Sequence, residues 1–379
     1  MSSEQVPLDA LLSAVGQAPF ALADTARRIQ GDVLGAWGLN PSECRYRVIA
    51  SGPFWRLRDY SDSDASSPLL IVAAPIKRPY IWDLAPSVSP IRYCLSQRQH
   101  VYLLEWLPAS RAAGNHGLKD YAQAISESVA RVAADLASPK PILIGHSLGG
   151  TLAAICCALV PQAARGLVLL GSPLSFKPGT SPFRDGLASL CPSALAELDP
   201  YPGSLLSHIS ALASPATFLW SRLVDAGFSI TDQHAMDIHT RVERWALDEV
   251  PLPGKLVHQI IEWLYRDDCF CRGTLKIGDT FIGPSHVTTP TLAVVNTADE
   301  IAPVASVKPF IDMLSRRGAR IIEHPGEIGV GLQHLGVLVG RQARDQVWPE
   351  IISWIRRLGD LDKELSDSLQ SESALGSAR

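Results

Sequence analysis

Short apolar runs alternate along the chain with longer segments in which apolar residues recur at helical spacing. The runs lie at 69–73, 101–104, 142–144 and 166–170. Strands that are buried on both faces have continuous apolar runs, because neither face meets water. The helical spacing is clearest at 118–137 and at 148–160. This alternation predicts an α/β fold in which a mainly parallel sheet is covered by helices on both faces.

The alternation stops near residue 172 and resumes at the apolar run 291–296. After that run, the pattern predicts a helix near 304–317, a strand at 320–323 and a final helix at about 342–358. The intervening residues, 173–290, are rich in helical patterning and in Trp, Phe and Pro. We therefore expect an inserted, mainly helical cap above the carboxyl ends of the strands, where it would cover a substrate site.

The chain thus divides into four predicted segments. Residues 45–60 read as an edge hairpin at the start of the core, and the residues before them show roughly helical spacing. The segments are an N-terminal helical segment at 1–44, a core formed by 45–172 and 291–358, a cap at 173–290 and a flexible tail at 359–379.

A serine lies at the centre of Gly145-His146-Ser147-Leu148-Gly149, between the apolar run 142–144 and a predicted helix of small residues. A serine at the apex of a sharp strand-to-helix turn is the nucleophile elbow of acyl-transfer enzymes. Such a turn favours glycine on both sides, because a side chain there would collide with the neighbouring element. An ordinary glycine-rich turn could show the same five residues, so the placement carries the prediction that Ser147 is a nucleophile.

A serine nucleophile needs a base, and an acid that orients the base. In sheets of this type the acid and then the histidine follow the serine along the chain, at the ends of later strands. Asp299 comes just after the run 291–296, and His334 lies in a glycine-rich loop after the strand at 320–323. We therefore predict a Ser147–His334–Asp299 triad. Glu300 is the nearest alternative to Asp299 as the acid.

Simpler roles stay open for these residues at this point. An aspartate such as Asp299 is common in turns and at helix caps, and His334 could bond only to its own loop. His324 ends the strand itself and is a weaker candidate for the base. His146 lies beside the nucleophile and is expected to be a packing residue, because its side chain points in a different direction.

The oxyanion hole that acyl transfer requires is predicted from the same geometry. Leu148 would begin the helix after the nucleophile, where backbone N–H groups have no helical acceptor. A second N–H is expected from the loop after the strand at 69–73, and Ile76 is best placed to supply it.

Composition excludes several other classes. The formal net charge is −4, which predicts no strong attraction to nucleic acid or to anionic membranes. Seven scattered cysteines indicate reduced thiols of a cytoplasmic protein rather than a disulfide framework. Cys269-Phe270-Cys271 is too short for a zinc site, so we expect no metal and no cofactor. The N-terminus lacks the pattern of a secretory signal, and no stretch reaches the ~18 apolar residues of a membrane span.

Motifs along residues 45–358 resemble one known family. Residues 76–84 read Ile-Lys-Arg-Pro-Tyr-Ile-Trp-Asp-Leu, and residues 299–303 read Asp-Glu-Ile-Ala-Pro. They are similar to the I-N-K-Y-Y-I-L-D-L and catalytic D-H-I-A-P segments of polyhydroxyalkanoate synthases. Residues 245–248, Trp-Ala-Leu-Asp, and the region that follows His334 are similar to further motifs of that family. The resemblance implies an α/β-hydrolase fold, with Asp299 and His334 as catalytic residues.

The chain departs from that family at the nucleophile, where the family has cysteine and this chain has Ser147. A cysteine ionises easily and its acyl thioester stays reactive toward a new chain end, whereas serine forms a more stable oxygen ester. Cys156 and Cys157 lie inside the following helix and cannot replace the nucleophile. Serine therefore favours hydrolysis or simple acyl transfer over polymerisation.

Three functions follow from the residues and the resemblance. The first is a serine acyl hydrolase or acyltransferase that acts on hydroxyacyl esters or thioesters, with an acyl-coenzyme A as a candidate substrate. The second is a true poly(3-hydroxyalkanoate) synthase that polymerises 3-hydroxyacyl-coenzyme A. The third is a non-catalytic homologue that binds a polyhydroxyalkanoate granule or an active synthase subunit. Candidate macromolecular partners are the granule surface and a second copy of the chain.

Overall fold

The computed structural model describes residues 8–61, 67–110, 112, 114–136, 140–191, 200–314 and 319–360. Most of the tail predicted at 359–379 therefore lies outside the described residues. In these ranges the strands are β1 Arg47–Ser51, β2 Trp55–Asp59, β3 Ser67–Val72, β4 Gln99–Trp106, β5 Ile142–His146, β6 Gly166–Leu170, β7 Leu275–Ile277, β8 Thr280–Ile282, β9 Thr291–Asn296 and β10 Ala319–His324.

The helices lie between these strands and at both ends of the described chain. They are α1 Leu8–Leu34, α2 Pro90–Ser96, α3 Leu118–Leu136, α4 Leu148–Leu159, α5 Pro182–Leu190, α6 Gly203–Ala213, α7 Ser221–Ser229, α8 Gln233–Ala246, α9 Gly254–Gln259, α10 Val304–Asp312, α11 Gly336–Val339 and α12 (348–360). Wider π-helical turns lie at Gly35–Leu39, Ala216–Trp220, Ile260–Arg266 and Ala343–Val347, and tighter 3₁₀ turns at Pro79–Asp83, Pro284–His286 and Gln333–Leu335.

Eight strands form one sheet in the order β1-β2-β4-β3-β5-β6-β9-β10. The pairs β1–β2 and β2–β4 are antiparallel, and all the other neighbours in this sheet are parallel. The α/β-hydrolase fold predicted from the sequence is confirmed, and so is the hairpin at its edge. The continuous apolar runs are the central strands, and β5 and β6 are buried along their whole length.

Each central strand sends alternate side chains into two separate cores, because successive side chains point to opposite faces of a sheet. In β5, Leu143 packs in the core that contains α3 and α4. Ile142 and Ile144 pack in the opposite core with Trp348 and Ile351 of α12. The sheet is therefore covered on both faces, and its functional groups can only emerge at its edges.

The segment between β6 and β9 leaves the sheet and returns to the adjacent position. β9 pairs directly with β6, with Leu167 opposite Thr291 and Leu170 opposite Val294. Helices α5 to α9 lie between these two strands along the chain. The parallel strands β5, β6, β9 and β10 thus end at one edge of the sheet, which is where open α/β sheets bind their ligands.

Helix α1 is present where helical spacing predicts it, but several residues that set this spacing do not pack inward. Leu22, Ile29 and Val33 are at least half exposed. The helix is held instead by polar contacts with α6. The Asp24 carboxylate accepts the backbone N–H of Gly203 at 3.2 Å and of Ser204 at 2.7 Å, at the start of α6. The positive end of the α6 helix dipole also stabilises a carboxylate at this position.

Candidate active site

Ser147 lies between β5 and α4 in a backbone conformation that few residues other than glycine adopt. Its φ is 55° and its ψ is −133°. Its N–H donates to the carbonyl of Leu170, at the end of the neighbouring strand β6, at 2.9 Å. A positive φ in a serine is strained, and surrounding structure must maintain it. The turn therefore has the backbone geometry expected of a nucleophile elbow, and it lies at the carboxyl edge of the sheet.

Glycines make this turn sterically feasible. A Cβ on Gly145 would lie 2.4 Å from the Cα of Gly150, and one on Gly149 would lie 2.3 Å from the carbonyl oxygen of Val72. Both distances are too short for any side chain, as the sequence pattern predicts. Gly150 was not singled out by the pattern, yet a Cβ there would lie 1.9 Å from Ser172 Oγ. The helix start thus packs against both adjacent strand ends with no space for a methyl group.

The structure brings the predicted acid and base together. His334 Nδ1 lies 2.7 Å from Asp299 Oδ2, and both side chains are buried. The other Asp299 oxygen accepts the backbone N–H of Ile301 at 2.8 Å and of Ala302 at 3.0 Å. These contacts fix the carboxylate in one orientation and make His334 Nδ1 the proton donor. His334 Nε2 is then the nitrogen that can take a proton from a nucleophile.

Asp299 is kept ionised in spite of its burial. Burial opposes the charged form, but the His334 imidazole and the two backbone N–H groups outweigh it, and the pKa of Asp299 lies below its usual value. A negative charge at this site stabilises the imidazolium that forms when His334 accepts a proton. The pair therefore has the electrostatic arrangement of an orienting acid and a general base.

His334 Nε2 is buried and has no hydrogen-bond partner among the described residues. Ser147 and His334 line the same cavity. Catalytic hydrogen bonds are often long in a protein without substrate and tighten when substrate binds. An unpaired, buried ring nitrogen on a residue that lines the same cavity as Ser147 is thus available for proton transfer.

His146 forms a hydrogen bond with the backbone of His334, the predicted base. Its Nε2 lies 2.8 Å from the backbone carbonyl oxygen of His334, and the centres of the two rings are 4.6 Å apart. Since a carbonyl only accepts, the proton of His146 must be on Nε2. Burial, together with the nearby His334, lowers the pKa of His146 to about 3. His146 therefore stays neutral at ordinary pH, and it supports the base in addition to packing.

The competing acid and base lie elsewhere. The Glu300 carboxylate accepts the hydroxyl of Thr217 in the segment between β6 and β9. His324 Nδ1 lies 3.2 Å from the carbonyl oxygen of Pro325, and its burial lowers its pKa. Neither is in contact with the Asp299–His334 pair by any hydrogen bond among the described residues.

Both predicted oxyanion donors border the cavity that contains Ser147. Leu148 is the first residue of α4, so its N–H has no acceptor within the helix. Ile76 is half-buried, and its carbonyl accepts the N–H of Val250 at 3.3 Å. This contact fixes the loop after β3, while the role of the Ile76 N–H stays a prediction.

The cavity has a volume of about 520 Å³ and lies between the carboxyl edge of the sheet and the segment that follows β6. Its walls are largely apolar, with Phe183, Leu187, Leu252, Ile260 and Tyr265 among the lining residues. Most small-molecule sites combine such apolar walls with a few polar groups. The cavity therefore suits a mainly apolar ligand. Among the described residues no group of three or more side chains is arranged to hold a metal ion.

A carboxylate that the sequence did not reveal accepts hydrogen bonds from the loop that leads to His334. Asp225, on α7, accepts the N–H of Gly329 at 2.7 Å and of Gly331 at 2.9 Å. Its Oδ2 also lies 2.8 Å from His239 Nδ1 on α8. Burial opposes ionisation of Asp225, but these three bonds outweigh it and lower its pKa. The loop that leads to His334 is thereby fastened to α7 and α8.

We expect Asp225→Asn to reduce kcat about tenfold and to leave KM nearly unchanged. The amide cannot accept all three bonds, and a lost hydrogen bond to a charged group costs about 1.5–3 kcal/mol. Asp232→Asn is the matched control, since Asp232 accepts two N–H groups at the start of α8 and does not touch the His334 loop. The positioning role would be excluded if both variants lost kcat equally, or if Asp225→Asn lowered only the melting temperature.

Comparison with known proteins agrees with the fold. The family described as alpha/beta hydrolase fold matches residues 84–200. The poly(3-hydroxyalkanoate) polymerase subunit PhaC of Haloferax mediterranei is 25% identical over 309 residues, which cover 80% of this chain and 62% of that protein. PhaC of Haloarcula marismortui is 24% identical over a region that covers 81% of this chain and 64% of that protein. The chain thus spans less than two thirds of the length of these two relatives.

A solved structure supports the fold alone. A thermophilic esterase from Thermogutta terrifontis superimposes with a TM-score of 0.50 and 17% sequence identity. The superposition covers 83% of this chain and 99% of the esterase. Among the residues that the structure describes, no helix has both the length and the apolar character that a membrane span requires.

Proposed function

We propose that this polyhydroxyalkanoate synthase-like protein of the α/β-hydrolase fold is a serine acyl hydrolase or acyltransferase. Its substrates are hydroxyacyl esters or thioesters, and an acyl-coenzyme A enters as a substrate rather than as a resident cofactor. The observation that carries the proposal is the strained turn at Ser147 together with a buried His334–Asp299 pair, since Ser147 and His334 line one largely apolar cavity. The seven cysteines are free thiols, which fits a reducing cytoplasm.

The reaction uses only side chains and backbone groups of this chain. Ser147 Oγ attacks the carbonyl carbon of the substrate while its proton passes to His334 Nε2. The N–H groups of Leu148 and Ile76 stabilise the negative charge on the carbonyl oxygen. When the bond to the leaving group breaks, His334 gives its proton to the departing alkoxide or thiolate. This leaves an acyl group on Ser147.

A second nucleophile then releases the acyl group. For hydrolysis, water attacks the acyl-enzyme while His334 takes its proton and later returns one to Ser147 Oγ. For acyl transfer, an alcohol takes the place of water. The largely apolar walls of the cavity suit the acyl chain, and the intermediate is an oxygen ester, which is less reactive toward a new chain end than a thioester.

A true synthase is the second candidate, because curated relatives carry the name poly(3-hydroxyalkanoate) polymerase. It predicts release of coenzyme A with polymer and without free hydroxy acid. In that case Ser147→Cys should raise the yield of polymer, since a thioester intermediate transfers more readily to a chain end. An unchanged or lower yield of polymer from Ser147→Cys would count against the synthase.

A non-catalytic granule-binding homologue is favoured by one surface feature. Leu219, Trp220, Leu223, Phe228 and Ile230 are each more than half exposed around α7. Large apolar patches often mark an interaction surface. A protein with this role alone would bind polymer and turn over no ester.

One assay separates the three functions. The purified protein is given 3-hydroxybutyryl-coenzyme A or p-nitrophenyl butyrate, and free acid, polymer and coenzyme A are measured together. We expect free acid, or its transfer product with an added alcohol, and no accumulation of polymer. Polymer without acid would support the synthase, and no turnover of either substrate would support the granule-binding role.

A further inference from the structure

Cationic residues interrupt the apolar walls of the cavity. Arg27, Lys77, Arg78 and Arg222 line it, whereas no Asp or Glu among the described residues does. Arg27 comes from α1, and Lys77 and Arg78 come from the loop after β3. An apolar cavity of low polarity strengthens the field of such charges, because water screens them less.

The carboxylates behind the walls balance these charges only in part. Arg27 Nη2 and Lys77 Nζ both lie 3.1 Å from the same oxygen of Glu249. Arg222 Nε pairs with Glu243 at 2.8 Å. Arg78 has no carboxylate partner in the described part of the chain. One carboxylate shared by two cations, and a guanidinium without a carboxylate, leave the lining positively charged.

Arg27 is held in place yet retains a free donor. Its Nη2 donates to the carbonyl of Ala246 at 3.1 Å, in addition to its pair with Glu249. Its Nε is buried and has no hydrogen-bond partner among the described residues. A buried donor of a charged group without a partner is costly, so an anion that accepts a hydrogen bond from it would be stabilised.

Lys77 adds positive charge to the same wall. Burial, which the Glu249 carboxylate only partly offsets, lowers the pKa of Lys77 to about 8. It therefore remains largely protonated at neutral pH. Its Nζ is occupied by Glu249 and by the carbonyl of Ala246 at 2.5 Å. Lys77 thus acts through its charge, while Arg27 and Arg78 have donors to offer.

Resting on the proposed function, we infer that the cavity selects acyl groups whose far end carries a carboxylate, which Arg27 and Arg78 bind. The substrate class is a half-ester of a dicarboxylic acid, or an acyl chain that ends in a free acid. Guanidinium groups suit this role because their planar donors match a carboxylate. The phosphates of an acyl-coenzyme A are separated from its thioester by the whole pantetheine arm, so they would lie outside a cavity that encloses the acyl group.

Two matched esters test the inference. One is p-nitrophenyl hemiglutarate, and the other is the p-nitrophenyl ester in which an isopropyl group replaces the free carboxylate. After subtraction of spontaneous hydrolysis, we expect kcat/KM to favour hemiglutarate about tenfold. Arg27→Gln and Arg78→Gln should each reduce this ratio about tenfold, and added salt should reduce it in the wild type because it screens the charges. Arg241→Gln is the control, since Arg241 pairs with Asp237 and does not line the cavity.

Binding provides a readout that does not need catalysis. The anilide of glutaric acid and its isopropyl analogue resist hydrolysis, and calorimetry measures their affinities for the full chain. We expect the anionic anilide to bind about tenfold more tightly, and the two arginine variants to lose this difference. Equal affinities in the wild type, or a preference that both variants retain, would overturn the inference.

Two further outcomes separate the inference from the proposed function. Selective binding of the anionic anilide without turnover of either ester would refute the hydrolase and leave the carboxylate site standing. Arginine variants that slow only coenzyme A thioesters, and not the matching pantetheine thioesters or the hemiglutarate, would show that the anion is a phosphate. That result would overturn the inference of a carboxylate.

Discussion

Ser147→Ala should lower kcat/KM for an aryl ester by about a thousandfold or more. The variant keeps the oxyanion donors and the cavity, but it has no hydroxyl to form an acyl-enzyme, and removal of a triad member costs several kcal/mol. The fold should be retained, because alanine leaves the Cβ and the backbone of the turn unchanged. The measurement is steady-state hydrolysis, with the melting temperature as a check of folding.

The control for this variant is Ser210→Ala. Ser210 lines the same cavity, and within the described part of the chain its hydroxyl donates only to the carbonyl of Leu206 in its own helix. We expect its activity to stay within a few-fold of the wild type. Ser147→Ala with more than a tenth of the wild-type activity would show that another group is the nucleophile.

Asp299→Asn should also reduce kcat by about a thousandfold or more. The amide can no longer stabilise an imidazolium, and its NH₂ group can favour the wrong tautomer of His334. Binding of substrate should change little, because Asp299 lies behind the histidine and receives N–H bonds from Ile301 and Ala302. The loss should therefore appear in kcat and much less in KM.

Acid sensitivity gives a second readout for Asp299. The pKa of Asp299 is lower in the folded chain than its usual value. The carboxylate therefore stabilises the fold at pH values above that usual pKa, and this stabilisation is lost as the pH falls through the pKa of the folded state. Asp299→Asn should remove this dependence. Glu300→Gln is the control, because Glu300 contacts Thr217 rather than His334. If Glu300→Gln lost as much activity as Asp299→Asn, the assignment of the acid would be wrong.

The sharp turn at Ser147 could be predicted because the pattern that positions it is local in sequence. A buried strand, two glycines and a helix start lie within a dozen residues, and the structure shows that Gly145 and Gly149 leave no space for a Cβ. Asp299 and His334 were found by their order after strand ends, which the topology of the sheet then brings to one edge.

Other parts of the site could not be predicted, because they depend on contacts between distant segments. Asp225 is one of several acidic residues in a helical region, and only the fold reveals that it binds Gly329 and Gly331, about a hundred residues later. Arg27 lies on α1, where the spacing of apolar residues predicts a helix but does not reveal that Arg27 lines the cavity. The support that His146 gives to His334 also requires knowing that the end of β5 meets the loop that follows β10.

Covalent labelling of the native protein with a fluorophosphonate tests the central claim most directly. Such a probe forms a stable adduct only with a serine that a neighbouring base activates. Mass spectrometry of the digested protein should locate one adduct, on Ser147, and labelling should be lost in His334→Ala. An unlabelled protein, or an adduct on a different residue, would contradict the account.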